Sequence, residues 1–246
     1  MELKIIGTGS KGNAYLLENE QEALLIECGV KFSEIKKALN FNISKVVGCV
    51  VSHEHQDHCK GITEVLDSGI PVYASAGTVS AFKSRSNMLP FMLEARQTKH
   101  IGNFKVLGFD VKHDAAEPFG FLIEHPECGK TLFLTDTYYC KYTFPGLNNI
   151  IIEANYSKEI IDRNFGAESA KEFLRNRILR SHFSLDNCKD MLRANNLAGV
   201  NNIVLIHLSD GNSDEVQFQR EVQQLTAKNV TVANNGQTIN FNKTPF

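Results

Sequence analysis

Residues 52–61 read SHEHQDHCKG and place three histidines and one aspartate within six consecutive positions. Neutral imidazole and carboxylate groups are the commonest protein ligands of zinc-like cations. A solvated polar loop is the alternative explanation, but so dense a group of metal-binding side chains favours a metal site. We therefore interpret this stretch as one part of a metal centre.

The spacing within this stretch indicates two ions. His53 and His55 are two residues apart, so in an extended chain their side chains emerge on the same face and can bind one ion. Asp57 and His58 are adjacent, begin a turn into the following helix, and suit a second ion nearby. Because a catalytic zinc usually takes three protein ligands and a water, each pair needs a further ligand from elsewhere.

Further metal-binding side chains follow apolar, strand-like runs. His113, Asp136, Glu153 and His207, like His53, each lie within a residue or two of the C-terminal end of such a run. In α/β proteins the loops at these ends gather the ligands. Strands commonly end in polar residues, but five acid or imidazole groups at such positions make coincidence the weaker explanation. We expect these groups to converge on one rim of the fold.

These positions predict a complete ligand set for two divalent cations. The first site is His53, His55 and His113, the second is Asp57, His58 and His207, and Asp136 bridges both. Two cations about 3.5 to 4 Å apart repel each other, and a shared carboxylate and hydroxide supply the anionic charge that makes the pair stable. The isolated His100 and His125 are expected to be ordinary polar residues.

The fold class follows from ten short apolar runs bounded by Gly, Asn and Asp, whose length and β-branched content predict strands. The runs are LKII, NAYLLE, ALLIECG, VVGCVVSH, FKVLGFDVKH, GFLIEH, TLFLTD, IIIEAN, IVLIHL and TVANNGQTINF. Helices are predicted over about 32–39 with a Ser33 cap, 59–66 and 170–178, and after caps at Ser184 and Ser213, reaching 197 and 227. This mixture predicts an α/β sandwich of sheets covered by helices.

Composition restricts the class of protein. With 246 residues, 42% of them apolar and 22% charged, the chain reads as one globular domain over 1–246, without a linker. No stretch has the apolar length needed to cross a bilayer, and polar residues interrupt the N-terminal segment, which argues against a signal peptide. Six cysteines without a CxxC pair argue against a zinc ribbon and a disulfide framework. We therefore expect a cytoplasmic protein with no membrane partner.

The net charge of −2 indicates that any nucleic-acid surface must be a local patch. The best candidate is KEFLRNRILR, in which Lys171, Arg175, Arg177 and Arg180 face a single Glu172. A solvated helix face is an equally good interpretation of this stretch. The sequence carries no mark of the oligomeric state.

The order HxHxDH, later His, strand-end Asp and last His resembles the metallo-β-lactamase superfamily. The resemblance covers nearly the whole chain and implies a four-layer αβ/βα sandwich of two similar halves. The segments GTGSKGNAYLLE, KHDAAEPFGF, LTDT, EANYS, SHFSLDN and IHLSDGN resemble the WalJ or YycJ group of bacterial and phage proteins. Members of that group are regarded as double-stranded DNA exonucleases.

The sequence departs from the family at two positions. Glu27 stands in LIECG where related proteins have LIDCG, and the aspartate there supports the metal loop from behind. The longer side chain leaves that role open. Tyr138 follows TDT where the family tends to have glycine, which affects the shape of the loop but not the Asp136 ligand. His55 is retained, whereas the oxygen-reducing diiron members have Glu there, so a redox function is disfavoured.

The expected reaction is hydrolysis of a phosphodiester, with DNA favoured as substrate. A hydroxide held between two Zn²⁺ or Mn²⁺ ions, with Fe possible, is a nucleophile at neutral pH. Asp57 contributes to this catalytic centre, and His182 lies outside the ligand set and suits a general acid oriented by Glu153. The alternative for His182 is a hydrogen-bonded helix cap near Ser181 and Ser184.

The sequence is also compatible with other functions. The same chemistry would serve an RNase Z-like endonuclease or a small cyclic-phosphodiester hydrolase, and the same hydroxide could attack a thioester or lactam. A metal-stabilised binding or regulatory protein without turnover belongs to another class. The segment GTGSKGN lacks the spacing of a nucleotide-binding phosphate loop and predicts a tight hairpin. Its Ser10, Lys11 and Asn13 could touch a substrate phosphate if the turn faces the metals.

Overall fold

The computed structural model describes residues 1–165 and 169–244, with the side chains of 169–171 left out of the description. Within these residues the strands form two seven-stranded sheets. Helices cover the outer face of each sheet. The following bounds define the elements.

The first sheet has the strand order β14-β1-β2-β3-β4-β5-β6. Its strands are β1 (Glu2–Gly7), β2 (Ala14–Glu18), β3 (Ala23–Ile26), β4 (Val46–Val50), β5 (Val72–Ser75), β6 (Phe91–Leu93) and β14 (Thr238–Asn240). The segment 8–13 joins β1 to its antiparallel neighbour β2, which is the hairpin predicted for GTGSKGN. Strands β3 to β6 run parallel to one another.

The second sheet has the strand order β13-β12-β11-β10-β9-β8-β7. Its strands are β7 (Thr98–Ile101), β8 (Phe104–Asp110), β9 (Phe119–His125), β10 (Gly129–Leu134), β11 (Asn149–Glu153), β12 (Asn202–Ile206) and β13 (Asn229–Val232). Strands β10 to β13 are parallel, so their carboxyl ends lie at the same edge.

Eight α-helices lie in the described part of the chain. They are α1 (Phe32–Ala38), α2 (Gln56–Cys59), α3 (Ile62–Asp67), α4 (Ala76–Ala81), α5 (Lys158–Phe165), α6 (Ser169–Ser181), α7 (Leu185–Ala194) and α8 (Glu215–Thr226). Buried Ile35 and Val65 place α1 and α3 against the outer face of the first sheet. Buried Met191 and Phe218 place α7 and α8 against the outer face of the second.

A third apolar cluster fills the space between the sheets. Leu3 and Tyr15 of the first sheet share it with Phe121, Phe133 and Ile151 of the second. The rings of Tyr15 and Phe133 meet edge to face with centroids 5.7 Å apart, a preferred aromatic arrangement. Every residue of β3 and β11 is buried because helices cover one face of each sheet and the opposite sheet covers the other. The order helix, sheet, sheet, helix confirms the predicted αβ/βα sandwich.

The sequence missed part of the secondary structure. Strands β5, β6 and β7, each three or four residues long, were not predicted. The run TVANNGQTINF was predicted as one strand, but a turn divides it into β13 and β14, which belong to different sheets. The helix predicted over 59–66 is divided between α2 and α3, with Gly61 as the N-cap of α3.

Two of the three predicted helix caps are wrong. Ser33 lies inside α1, which begins at Phe32 and has no side-chain cap. The cap of α8 is Asp214, which accepts a hydrogen bond from the Gln217 backbone nitrogen. Ser184 does cap α7, which ends earlier than predicted.

No helix in the described ranges combines the length and apolar character needed to span a bilayer. The organisation as one domain over 1–246 and the cytoplasmic location stay predictions.

The layer between the sheets generates a stability prediction. Phe133→Ala removes a fully buried ring from the apolar layer between the sheets, and we expect it to lower the free energy of unfolding by about 3 to 5 kcal/mol. Phe41→Ala is the matched control, since Phe41 is 70% exposed, and it should change stability by no more than about 0.5 kcal/mol. Urea unfolding followed by circular dichroism measures both. Equal stability of the two variants would contradict this description of the core.

Candidate metal centre

The loops that follow β4, β8, β10 and β12 meet at one edge of the sandwich. They carry, respectively, His53, His113, Asp136 and His207, each within three residues of its strand. The stretch 52–61 adds the remaining predicted ligands on the segment that leads into α2. The first sheet thus supplies four of the seven predicted ligands, and the second sheet supplies three.

The predicted first site is a compact cluster. The Nδ1 atom of His55 lies 3.1 Å from His53 Nε2 and 3.1 Å from His113 Nε2. Asp136 Oδ2 lies 3.7 Å from each of those two Nε2 atoms. Ligand atoms about 2.0–2.1 Å from one tetrahedral ion lie roughly 3.3 Å from one another. The four donor atoms have about this spacing.

The donors predicted for the second site fall into two clusters that both contain Asp136: one adds Asp57 and His58, and the other adds His207 together with Glu153 and His182. His58 Nε2 lies 3.4 Å from Asp57 Oδ2 and 3.3 Å from Asp136 Oδ2. His207 Nε2 lies 3.8 Å from Asp57 Oδ2, while its Nδ1 lies within hydrogen-bonding distance of Asp136 Oδ1. Asp136 Oδ2 is therefore adjacent to both clusters, as expected of a bridging carboxylate. The donor set fits two divalent cations sharing one ligand.

Burial and charge divide the histidines into two kinds. Burial lowers the pKa of His53 well below its usual value and lowers the pKa of His113 in the same direction. Both rings are thus neutral, as metal ligands must be. Burial also opposes charge on His58, but the carboxylates of Asp136 and Glu27 raise its pKa well above the usual value. The second cluster is therefore rich in negative charge and attracts positive charge.

Neighbouring groups hold the ligand rings in place. The Ser181 carbonyl lies 2.8 Å from His113 Nδ1, and because a carbonyl only accepts, Nδ1 carries the proton and leaves Nε2 free to bind a metal. The Ser52 hydroxyl lies 2.8 Å from His53 Nδ1. Asn13 Nδ2 lies 3.3 Å from His58 Nε2. From the sequence, Asn13 was expected only as a possible phosphate contact, so its contact with a predicted ligand was missed.

Glu27, one of the two departures from the family pattern, is fully buried behind the centre. Both of its carboxylate oxygens accept a hydrogen bond from the Ser52 backbone nitrogen, at 3.2 and 3.3 Å. Its Oε2 atom lies 3.6 Å from His58 Nδ1. The longer side chain therefore still reaches the metal loop from behind.

Thr137 fixes the loop at the second departure, Tyr138. The Thr137 hydroxyl donates to the Lys112 carbonyl at 3.0 Å and accepts from the Tyr139 backbone nitrogen at 3.2 Å. Tyr138 itself has no positive φ, so the loop does not require glycine there. The residue in the left-handed region is Asp136, with φ 38°.

Glu153 connects the centre to His182. Its Oε1 atom lies 2.7 Å from His182 Nδ1 and 3.4 Å from His207 Nδ1. Its Oε2 atom accepts hydrogen bonds from the backbone nitrogens of Phe183 and Thr137. Burial lowers the pKa of His182, but the charge and hydrogen bond of Glu153 outweigh burial and raise it to about 9. The structure therefore pairs His182 with Glu153, and Ser184 provides the cap of α7.

An open cleft of about 450 Å³ leads to these residues from solvent. Its lining includes His55, Asp57, His182 and Ser10. The hairpin turn after β1 thus faces the centre through Ser10, while Lys11 pairs with Asp210 at 3.3 Å. The remaining histidines lie elsewhere: His100 is exposed, and His125 lies 3.2 Å from Glu22.

Known proteins with similar sequences agree with the family resemblance of the metal-binding motif. The family model described as "Beta-lactamase superfamily domain" matches residues 23–208. Exodeoxyribonuclease YycJ of Bacillus anthracis is 31% identical over 173 residues, which cover 65% of this chain and 65% of that protein. Exodeoxyribonuclease WalJ of Streptococcus pneumoniae is 27% identical over 171 residues, which cover 64% and 63%. The chain spans just under two thirds of the length of these relatives.

Solved structures with a similar fold include distant relatives. The metallo-beta-lactamase fold protein YhfI from Bacillus subtilis has a TM-score of 0.71 at 14% identity, covering 97% of this chain and 99% of that chain. The short form of human tRNase Z has a TM-score of 0.64 at 18% identity, covering 98% and 99%. At these identities the likeness concerns the fold.

The position of Asp57 depends on Gly29. A Cβ atom at Gly29 would lie 1.7 Å from the Asp57 carbonyl oxygen. That oxygen accepts a hydrogen bond from the Asn13 backbone nitrogen at 2.7 Å. Gly29 itself donates from its backbone nitrogen to the Asn13 carbonyl at 2.8 Å. The close approach of the two backbones therefore requires a residue without a side chain.

Gly29→Ala should move the Asp57 backbone, and we expect it to destabilise the fold by at least about 2 kcal/mol through overpacking. Gly211→Ala is the control, because a Cβ atom there meets nothing within 4 Å and should change stability by no more than about 0.5 kcal/mol. Urea unfolding measures the difference. If Gly29→Ala is as stable as the control, the contact with Asp57 does not constrain this loop.

Proposed function

The chain belongs to the beta-lactamase superfamily, and on this basis we propose that it is a metal-dependent hydrolase of the nuclease kind, acting as a DNA exonuclease. The observation that carries the proposal is that Asp136 belongs to every one of the His/Asp donor clusters at this edge of the fold, among the residues that the structure describes. A pair of divalent cations suits phosphodiester hydrolysis. The names of the two exodeoxyribonuclease relatives favour DNA as the substrate.

The residues that would hold the metals are those predicted from the sequence. His53, His55 and His113 would hold one cation, Asp57 and His58 would hold the other together with His207, which lies 3.8 Å from Asp57, and Asp136 would bind both. When bound, the two cations lower the pKa of water and neutralise the charge of a phosphodiester. Zn²⁺ and Mn²⁺ suit these nitrogen and oxygen donors best, and Fe is a further candidate.

The proposed role of His182 is to donate a proton to the departing oxygen of the substrate. Its Nδ1 atom faces Glu153, so Nε2 is the atom available to the cleft, which His182 lines. Glu153 acts as a positioning residue, because its buried carboxylate orients the ring and stabilises the protonated form. A general acid of this kind contributes about 10²- to 10⁴-fold to the rate.

The first test is cleavage of end-labelled duplex DNA with Mn²⁺ or Zn²⁺, resolved by gel electrophoresis. We expect the native protein to release nucleotides from the ends, and Asp136→Ala to lose the activity because Asp136 lies in both donor clusters. Asp210→Ala is the matched control, since Asp210 lies at the cleft but pairs with the exposed Lys11.

Parallel reactions with a tRNA precursor, a cyclic phosphodiester and a lactam separate the proposal from its alternatives. Absence of DNA cleavage by the native protein, or equal cleavage by Asp136→Ala, would refute the proposed function. Preferential hydrolysis of one of the other substrates would reassign the centre to that substrate class.

The second test concerns the leaving group. His182→Asn should reduce cleavage of DNA by about 10²- to 10⁴-fold, because the departing alkoxide needs a proton. Hydrolysis of bis(p-nitrophenyl) phosphate should fall much less, since nitrophenolate leaves without protonation. Steady-state rates on both substrates give the ratio.

His100→Asn provides the control for this comparison, since His100 is exposed on β7 and is not among the residues that line the cleft. It should leave both rates unchanged. Equal losses on the two substrates for His182→Asn would show that His182 supports the centre structurally and does not protonate the leaving group.

A further inference from the structure

Helix α6 exposes apolar side chains beside the cleft. Phe173 is 82% exposed and Leu174 is 50% exposed. A shallow hollow of about 510 Å³ lies next to them. It is lined by Asp114 from the loop after β8 and by the α6 residues Phe173, Asn176, Arg177, Arg180 and Ser181. Exposed apolar patches beside grooves can mark ligand-binding sites, and Phe173 and Leu174 form such a patch next to the cleft.

The hollow is continuous with the catalytic cleft. Asp114, Arg177 and Ser181 line both of them. Ser181 precedes the proposed acid His182, and its carbonyl contacts His113. A chain-like ligand that reaches the metal centre can therefore extend onto the surface of α6 without leaving the protein.

The spacing of the three larger side chains places them on one face of α6. Phe173, Arg177 and Arg180 lie at positions i, i+4 and i+7, which face the same direction on an α-helix. Arg175 faces elsewhere and pairs with Asp162 at 3.0 Å through its Nε atom. Lys171, which belongs to the basic patch predicted from the sequence, has its side chain outside the described residues.

The two arginines on this face are largely free for an anionic ligand. Arg177 forms a long, solvent-exposed ion pair with Asp114, whose Oδ2 atom lies 3.9 Å from the Arg177 Nε atom, and a phosphate can compete with so exposed a pair. Arg180 is exposed and forms no ion pair with any side chain that the structure describes. An aromatic ring flanked by exposed guanidinium groups is a combination that binds single-stranded nucleic acid, through base stacking and phosphate contacts.

We propose that the face of α6 formed by Phe173, Arg177 and Arg180 holds an unpaired nucleic-acid strand next to the catalytic cleft. Phe173 stacks on a base, and the two arginines bind the phosphates on either side of it. The inference rests on the proposed function and adds that the substrate end is bound as a separated strand. The predicted ligands support this, because most of them are buried at the base of the cleft.

The test measures binding and turnover of a fluorescein-labelled 12-nucleotide DNA strand. Binding is followed by fluorescence anisotropy in EDTA, and turnover is followed with Mn²⁺. Phe173→Ala should raise both Kd and KM about tenfold at nearly constant kcat, in line with loss of one stacked base. Phe173→Trp should bind within about twofold of the native protein, because any aromatic ring can stack.

Arg177→Gln and Arg180→Gln should each reduce the slope of log Kd against log salt concentration by about 0.7, the value for one contact with a single strand. Phe41→Ala is the control for removal of an exposed ring, since Phe41 is 70% exposed and lies in the turn after α1. It should leave Kd and KM unchanged.

The outcomes separate this inference from the proposed function. Native protein that cleaves neither this strand nor duplex DNA would refute the proposed function, while the anisotropy comparison would still decide the role of α6. Native Kd and KM in Phe173→Ala would overturn the inference. If Phe173→Ala instead changes the sedimentation coefficient without changing Kd, the exposed face contacts a second copy of the chain, and the inference is again overturned.

Discussion

The structure depends on burying acid and imidazole groups next to one another at one edge of the sandwich. Asp136 is buried between the two donor clusters and lies within 4 Å of His53, His58 and His113. Burial raises the pKa of its carboxyl, but the charges of His207 and His58 hold it well below the usual value. Charged groups are costly to bury unless they are paired or bind metals. Positive charge at this point therefore stabilises the whole edge.

Three residues around the centre also adopt unfavourable backbone conformations. Glu27, Asp136 and His207 all have positive φ values of 62°, 38° and 55°, a region that residues other than glycine rarely adopt. Such conformations persist where the surrounding structure imposes them, and they cluster at functional sites. Here the contacts come from both halves of the fold, since Glu27 follows a strand of the first sheet and Asp136 follows a strand of the second. The apolar layer between the sheets thus sets the distances within the centre.

The sequence predicted the fold class and the convergence of the candidate ligands because both depend on local patterns. Apolar runs of strand length are visible in any one segment, and a polar group at the end of such a run has a defined position in an α/β fold. The contacts that cross between segments were harder to predict. The approach of Gly29 to Asp57 and the contact of Asn13 with His58 join residues far apart in sequence, and no spacing rule relates them.

The same limit explains the errors in secondary structure. The short strands β5 and β6 have few residues to establish a period, and pairing with their neighbours defines them. The cap of α8 shifted by one residue because Ser213 donates its hydroxyl to the Ser209 carbonyl and leaves Asp214 to cap the helix. Competing hydrogen bonds of this kind are settled by tertiary structure.

Anomalous diffraction from crystals grown with Mn²⁺ shows whether two cations share Asp136. We expect two anomalous peaks about 3.5 to 4 Å apart, one beside His53, His55 and His113 and the other beside Asp57, His58 and His207. The Asp136→Ala protein should show neither peak at full occupancy. Empty density between these side chains in the native crystals, or His113 and His207 turned away from Asp136, would rule out a metal centre bridged by Asp136.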